Sequence, residues 1–70
     1  MKYWAATTLD EPRRQEMSRW CNQSFGYTGW MVHPQFGQCE EECYLKWSFW
    51  YQADVVLFTL VWDVAANEDK

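Results

Sequence analysis

Four side chains of this sequence are of the types that hold zinc or act as thiol nucleophiles: Cys21, His33, Cys39 and Cys43. Tetrahedral zinc takes thiolate sulfur and imidazole nitrogen, and Cys39-x-x-x-Cys43 falls within the spacing that lets two thiolates share one ion. The same thiols could form a redox pair, or one of them could be activated by His33 as a nucleophile. Each option meets a plainer reading. There is one close cysteine pair, and Glu40, Glu41 and Glu42 lie between its thiols, where negative charge opposes thiolate formation. Cys21 stands at helical spacing from Met17, Trp20 and Phe25, where a free cysteine acts as a small hydrophobe. His33 precedes Pro34 and reads as a strand-end residue, and no motif supplies an oxyanion hole. The expectation is therefore a non-enzymatic protein with no cofactor and no metal. A zinc- or thiol-dependent module on Cys21, His33, Cys39 and Cys43 is the alternative.

Carboxylates are the second set. Ten Asp and Glu oppose six Lys and Arg, a net charge of −4. A protein that grips phosphates needs a basic stripe, and the cluster Arg13, Arg14 and Arg19 falls on a helix rather than among the aromatic residues. Direct nucleic-acid binding is not expected. The run Glu40-Glu41-Glu42 could instead face a basic groove on a larger protein, with opposite charge speeding the encounter. As a solvated loop it would only keep the chain soluble.

These residues have to be placed by a single domain, since a chain of 70 residues cannot bury two cores. Lys2 to Leu9 reads as a strand. Asp10 can cap a helix, Glu11 suits its positive end and Pro12 its first turn, and Gly26 is a natural stop. A helix is predicted over 11–25. Tyr27 to His33 reads as a second strand. Cys43 to Tyr51 alternates Cys43, Leu45, Trp47, Phe49 and Tyr51 against Tyr44, Lys46, Ser48 and Trp50. Gln52-Ala53-Asp54 reads as a turn into a β-branched run, Val55 to Asp63, and the pair makes a hairpin. The predicted fold is α+β in two layers, one helix on a small antiparallel sheet in the order β-α-β-β-β, over residues 1–66. Residues 67–70 form a frayed acidic tail.

One feature exceeds what such a fold needs. Six Trp, four Tyr and four Phe make 20% of the chain, each ring able to bury on the order of 150–250 Å². A sheet covered on one side should alternate apolar with polar. The segment from Val55 does not: Val56, Phe58, Leu60 and Trp62 oppose Val55, Leu57, Thr59 and Val61. Cover from within the chain, a homodimer, and a patch for another protein all remain open as explanations. The residues expected at a partner are Tyr44, Trp50, Leu57 and Val61 as apolar anchors and Glu40, Glu41 and Glu42 as the charged element. No segment approaches the roughly 20 apolar residues of a membrane span, and the first residues lack an apolar signal core, so a soluble cytoplasmic protein is expected. In size, acidity and aromatic excess the chain resembles, in type, the small accessory proteins that phages turn against host machinery. That resemblance implies an inhibitor or modulator of a larger protein, with a nucleic-acid-handling protein among the candidates; an obligate subunit of a larger assembly is a further alternative.

Overall fold

The computed structural model describes residues 1–39, 42–64 and 66–68. Its elements run β1 (Tyr3–Thr7), α1 (Glu11–Phe25), β2 (Trp30–Gln35), β3 (Tyr44–Phe49), α2 (Gln52–Trp62) and β4 (Ala66–Glu68). The class is α+β, with helices packed on an antiparallel sheet. The helix expected over 11–25 forms at those bounds. Its N-cap Asp10 accepts from the Arg13 N–H, Pro12 lies in the first turn, and Gly26 closes it at φ 78, where a side chain would be strained.

The expected hairpin does not form. Residues 52–62 are a helix, not a turn and a strand, and the strand order is β2-β3-β1-β4 with every neighbouring pair antiparallel. Both edges of β3 are taken, by β1 and β2, so no site beside it is open to a hairpin partner. β3 and β4 instead run parallel with β1 between them. Parallel strands need a crossover, and α2 is that crossover. Together with β1-α1-β2 this makes two interleaved split β-α-β units, the ferredoxin-like connectivity. Short apolar runs do not distinguish strand from helix by periodicity, and the β-branched content of 55–61 was outweighed by tertiary context. The last strand is a second departure. Asn67 and Glu68, expected in a frayed tail, pair with Trp4 and Tyr3.

Both helices lie on one face of the sheet. In register, Ala5, Trp47 and Val32 form one row across it, and Tyr3, Phe49 and Trp30 the next. The buried core is Ala5, Leu45, Trp47 and Phe49 from the sheet, Met17 and Cys21 from α1, and Val55 and Phe58 from α2. Aromatic contacts join the layers: Phe25 to Phe49 at 5.4 Å, Trp47 to Phe58 at 5.3 Å, and Phe49 to Phe58 at 5.1 Å between ring centroids. Trp20 of α1 meets Phe58 and Trp62 of α2 at 6.2 and 6.1 Å. Two of the indoles at the core find partners: Trp47 Nε1 donates to Thr7 Oγ1 at 2.8 Å, and Trp30 Nε1 to Asn22 Oδ1 at 3.0 Å. Pro34 is tolerated inside β2 because β2 is an edge strand.

Candidate functional site

Helix geometry gives α2 two faces. At about 100° per residue, Val55, Phe58 and Trp62 project to one side. The first two are buried in the core and Trp62 packs against it. Ala53, Val56, Leu57, Leu60 and Val61 fall on the opposite arc, which spans about 140°. Their large members stay in solvent: Val56 is 46% exposed, Leu57 45%, Leu60 75% and Val61 49%. Neither sheet nor α1 covers them. A helix with apolar residues on both sides is normally buried on both, so the composition of this outer face is not explained by the fold itself.

Each end of α2 has a distinct polar character. Its N-cap residue Tyr51 supplies no side-chain cap hydrogen bond, and its C-cap Asp63 takes a left-handed conformation, φ 54 and ψ 57. The last turn holds no basic residue of its own. Arg13 of α1 takes that role, its guanidinium donating to the Trp62 carbonyl at 3.2 Å, where a cation meets the negative end of the helix. Between these ends, the exposed arc carries no charge.

The anchors expected from sequence do not form one patch. Leu57 and Val61 lie on this outer face, but Tyr44 is on the other side of the molecule. It belongs to the uncovered sheet face, where its ring stacks beside Trp4 at 6.2 Å and the Lys46 ammonium sits 4.7 Å above the Trp4 ring. Trp50 follows β3, more than half exposed, with its indole donating to the Thr28 carbonyl at 3.1 Å. Val56 and Leu60 were missed because the strand reading turned them toward the core. The 53, 56, 57, 60, 61 spacing was the signal for them, readable only once the segment is helical. Of the acidic run, Glu40 and Glu41 lie outside the described residues. Glu42 is exposed, but its Oε2 accepts the Gln38 N–H at 2.7 Å and so closes its own loop.

The thiol and imidazole groups are dispersed. Cys21 is buried under α1, and burial pushes its thiol up from an ordinary 9.0 to about 12, which makes it inert at neutral pH. His33 pairs in register with Lys46 and projects from the opposite sheet face. Cys39 is exposed, and the Cys43 thiol donates to its carbonyl at 3.4 Å. Among the described residues, no three His, Cys, Asp or Glu side chains gather closely enough to hold a metal. A cleft of about 310 Å³ opens between Leu9, Glu11, Arg14, Pro34, Phe36 and Leu45, its charged pair joined at 3.3 Å between Arg14 and Glu11. No helix among the described residues is long and apolar enough to cross a membrane. Comparison with protein-family models, with curated proteins and with solved structures finds no match to this chain. The connectivity alone carries no function, since folds of this kind host many.

Proposed function

We propose that this protein is a non-enzymatic interaction module whose working surface is the outer face of α2, mating with an apolar surface of another protein chain. The observation that carries this reading is the exposure of Val56, Leu57, Leu60 and Val61 along a single helix face. Exposed apolar patches beyond a few hundred Å² are uncommon on monomers and mark interaction sites. The separation of buried Cys21 and of His33, on the open sheet face, from the Cys39–Cys43 loop supports a binding role over one that needs the four groups together. An inhibitor or modulator of a larger protein is the biological form such a module would take.

The test is a chemical crosslinking and co-purification experiment in extract from cells that make the protein, comparing wild type with Leu57→Lys/Leu60→Lys. The expected result is loss of every specific crosslink in the variant, with thermal unfolding unchanged. Retained crosslinks in the folded variant would move the working surface elsewhere, first to the Trp4, Tyr44 and Lys46 face.

A further inference from the structure

We infer that the turn of the β2–β3 hairpin carries a thiol–disulfide site, at which Cys39 and Cys43 form a reversible disulfide within one chain by exchange with a low-molecular-weight disulfide. Nothing in this site involves the outer face of α2.

The turn is built to hold the two residues together. The Cys39 carbonyl accepts two donors, the Glu42 N–H at 3.0 Å and the Cys43 S–H at 3.4 Å. Glu42 ties the same turn a second time, its Oε2 accepting the Gln38 N–H at 2.7 Å. Gly37 makes room for that carboxylate, because a Cβ there would overlap the Glu42 side chain. A sulfur in contact with a residue's carbonyl oxygen is about one side chain's length from that residue's own sulfur. An S–S bond is about 2.0 Å long, so rotation of the Cys39 side chain with a small tightening of the turn closes it. Tethering over so short a span gives an effective concentration of roughly millimolar or more. Closure within one chain therefore outruns crosslinking between dilute chains.

Exposure decides which thiol acts first. Cys21 is fully buried, Cys43 is partly covered and Cys39 is exposed. Exchange begins at a thiolate that the oxidant can reach, which makes Cys39 the attacking residue and Cys43 the resolving one. The Cys39 thiolate attacks one sulfur of the small disulfide. That S–S bond breaks, one small thiolate leaves, and a mixed disulfide remains on Cys39. The Cys43 thiolate then attacks the Cys39 sulfur and expels the second small thiolate. Two protein thiols are oxidised, one small disulfide is reduced to two thiols, and the two protein protons pass through water to the leaving thiolates. Excess small thiol runs the sequence backward. The covalent link clasps the β2–β3 hairpin at its turn.

The chain carries a net −4, so a neutral oxidant suits it better than an anionic one. The test treats the folded full chain with hydroxyethyl disulfide buffered by mercaptoethanol, with acid quenching, thiol alkylation and intact-mass analysis. Wild type should lose two of its three thiols, become lighter by two hydrogens, and run as a single chain without reductant. Cys43→Ser should accumulate one mercaptoethanol adduct, on Cys39. Cys39→Ser should react about tenfold more slowly, through the less accessible Cys43. Gly37→Ala, which displaces Glu42 from the turn, should lower the ratio of closed to mixed disulfide by about three- to tenfold. Far-UV circular dichroism checks that each variant is folded. Three unreacted thiols in wild type, or separate adducts on Cys39 and Cys43 with no closed product, overturn the site. A closed disulfide in Cys39→Ser would overturn it by pairing Cys43 with Cys21. An unchanged ratio in folded Gly37→Ala would overturn the part given to the turn, since spacing in the sequence would then close the ring.

Discussion

α1 and α2 occupy the same layer, cover the same sheet and supply the same kind of inner face, yet their outer faces are opposites. α1 presents Arg13, Gln15, Glu16, Arg19 and Gln23 to water, and its buried residues are Met17 and Cys21. α2 buries Val55 and Phe58 and presents Val56, Leu57, Leu60 and Val61. The fold uses only the inner faces, since both helices act as crossovers between parallel strands. α1 shows that a polar outer face suffices for that task. The apolar outer face of α2 is therefore not a demand of the architecture, and needs a reason from outside it.

The comparison breaks most severely on the inner faces, where the two helices should behave alike. Phe58 is fully buried against Trp47, Phe49 and Trp20. Phe58→Ala should cost about 3–5 kcal/mol, enough to unfold a domain of this size or bring it to the edge. Met17→Ala on α1 should cost about 2–5 kcal/mol by the same cavity mechanism. Denaturant unfolding measures both. A loss below 1 kcal/mol for Phe58→Ala, but not for Met17→Ala, would mean that α2 is loosely attached to the sheet.

Next in size is a pH effect confined to α1. The folded Cys21 thiol has its pKa raised from its ordinary 9.0 to about 12 by burial. The folded state thus holds this proton more tightly than the unfolded state. The stabilisation is fully present below about pH 9 and is lost as pH rises toward 12, at a slope approaching about 1.4 kcal/mol per pH unit. Other groups titrate in that window, so the informative measurement is the difference between wild type and Cys21→Ala. Wild type should lose stability more steeply above pH 9. Parallel curves would mean that the thiol is solvated.

Sequence reading succeeded where signals were local and redundant. α1 has a cap, a first-turn proline, an apolar stripe and a terminal glycine, all agreeing on 11–25. β3 alternates cleanly, and its odd residues Leu45, Trp47 and Phe49 are the ones that join the core. It failed at α2, where Val55, Val56, Thr59 and Val61 favour a strand locally and helix signals are weak: Tyr51 caps poorly and no glycine follows. What decides α2 is non-local, namely that β1 and β2 already flank β3. Leu57 and Val61 are surplus to the core in either conformation, and both are exposed. Tyr44 did not join them, since faces of a sheet and of a helix layer cannot be matched without the topology.

A smaller effect sharpens the difference at the helix starts. Asp10 caps α1, but its Oδ1 lies 3.5 Å from the Arg13 nitrogen, a long bond. Asp10→Ala should therefore cost only about 0.5 kcal/mol, the low end for a cap. Tyr51 already has the extended backbone of an N-cap, φ −120 and ψ 142, and its side chain is mostly exposed. Tyr51→Asp should raise stability by about 0.5–1 kcal/mol, read as a shift in the midpoint of thermal unfolding in dilute solution. Loss of stability on Tyr51→Asp would show that the ring is packed against something.

The smallest expected change bears most directly on function. Leu60 is 75% exposed on α2 and Arg19 is exposed on α1. Leu60→Arg gives α2 the outer character of α1, and Arg19→Leu gives α1 that of α2. Each should alter stability by no more than about 0.5 kcal/mol in dilute solution, because neither side chain is buried within the chain. Association should nonetheless respond, with Leu60→Arg weakening it and Arg19→Leu leaving the α2 contact as it is. A loss of more than about 1 kcal/mol for Leu60→Arg, measured at a concentration where the chain is monomeric, would place Leu60 in an intramolecular contact. The two outer faces would then differ because one is covered from within, and the apolar stripe would belong to the core rather than to a partner.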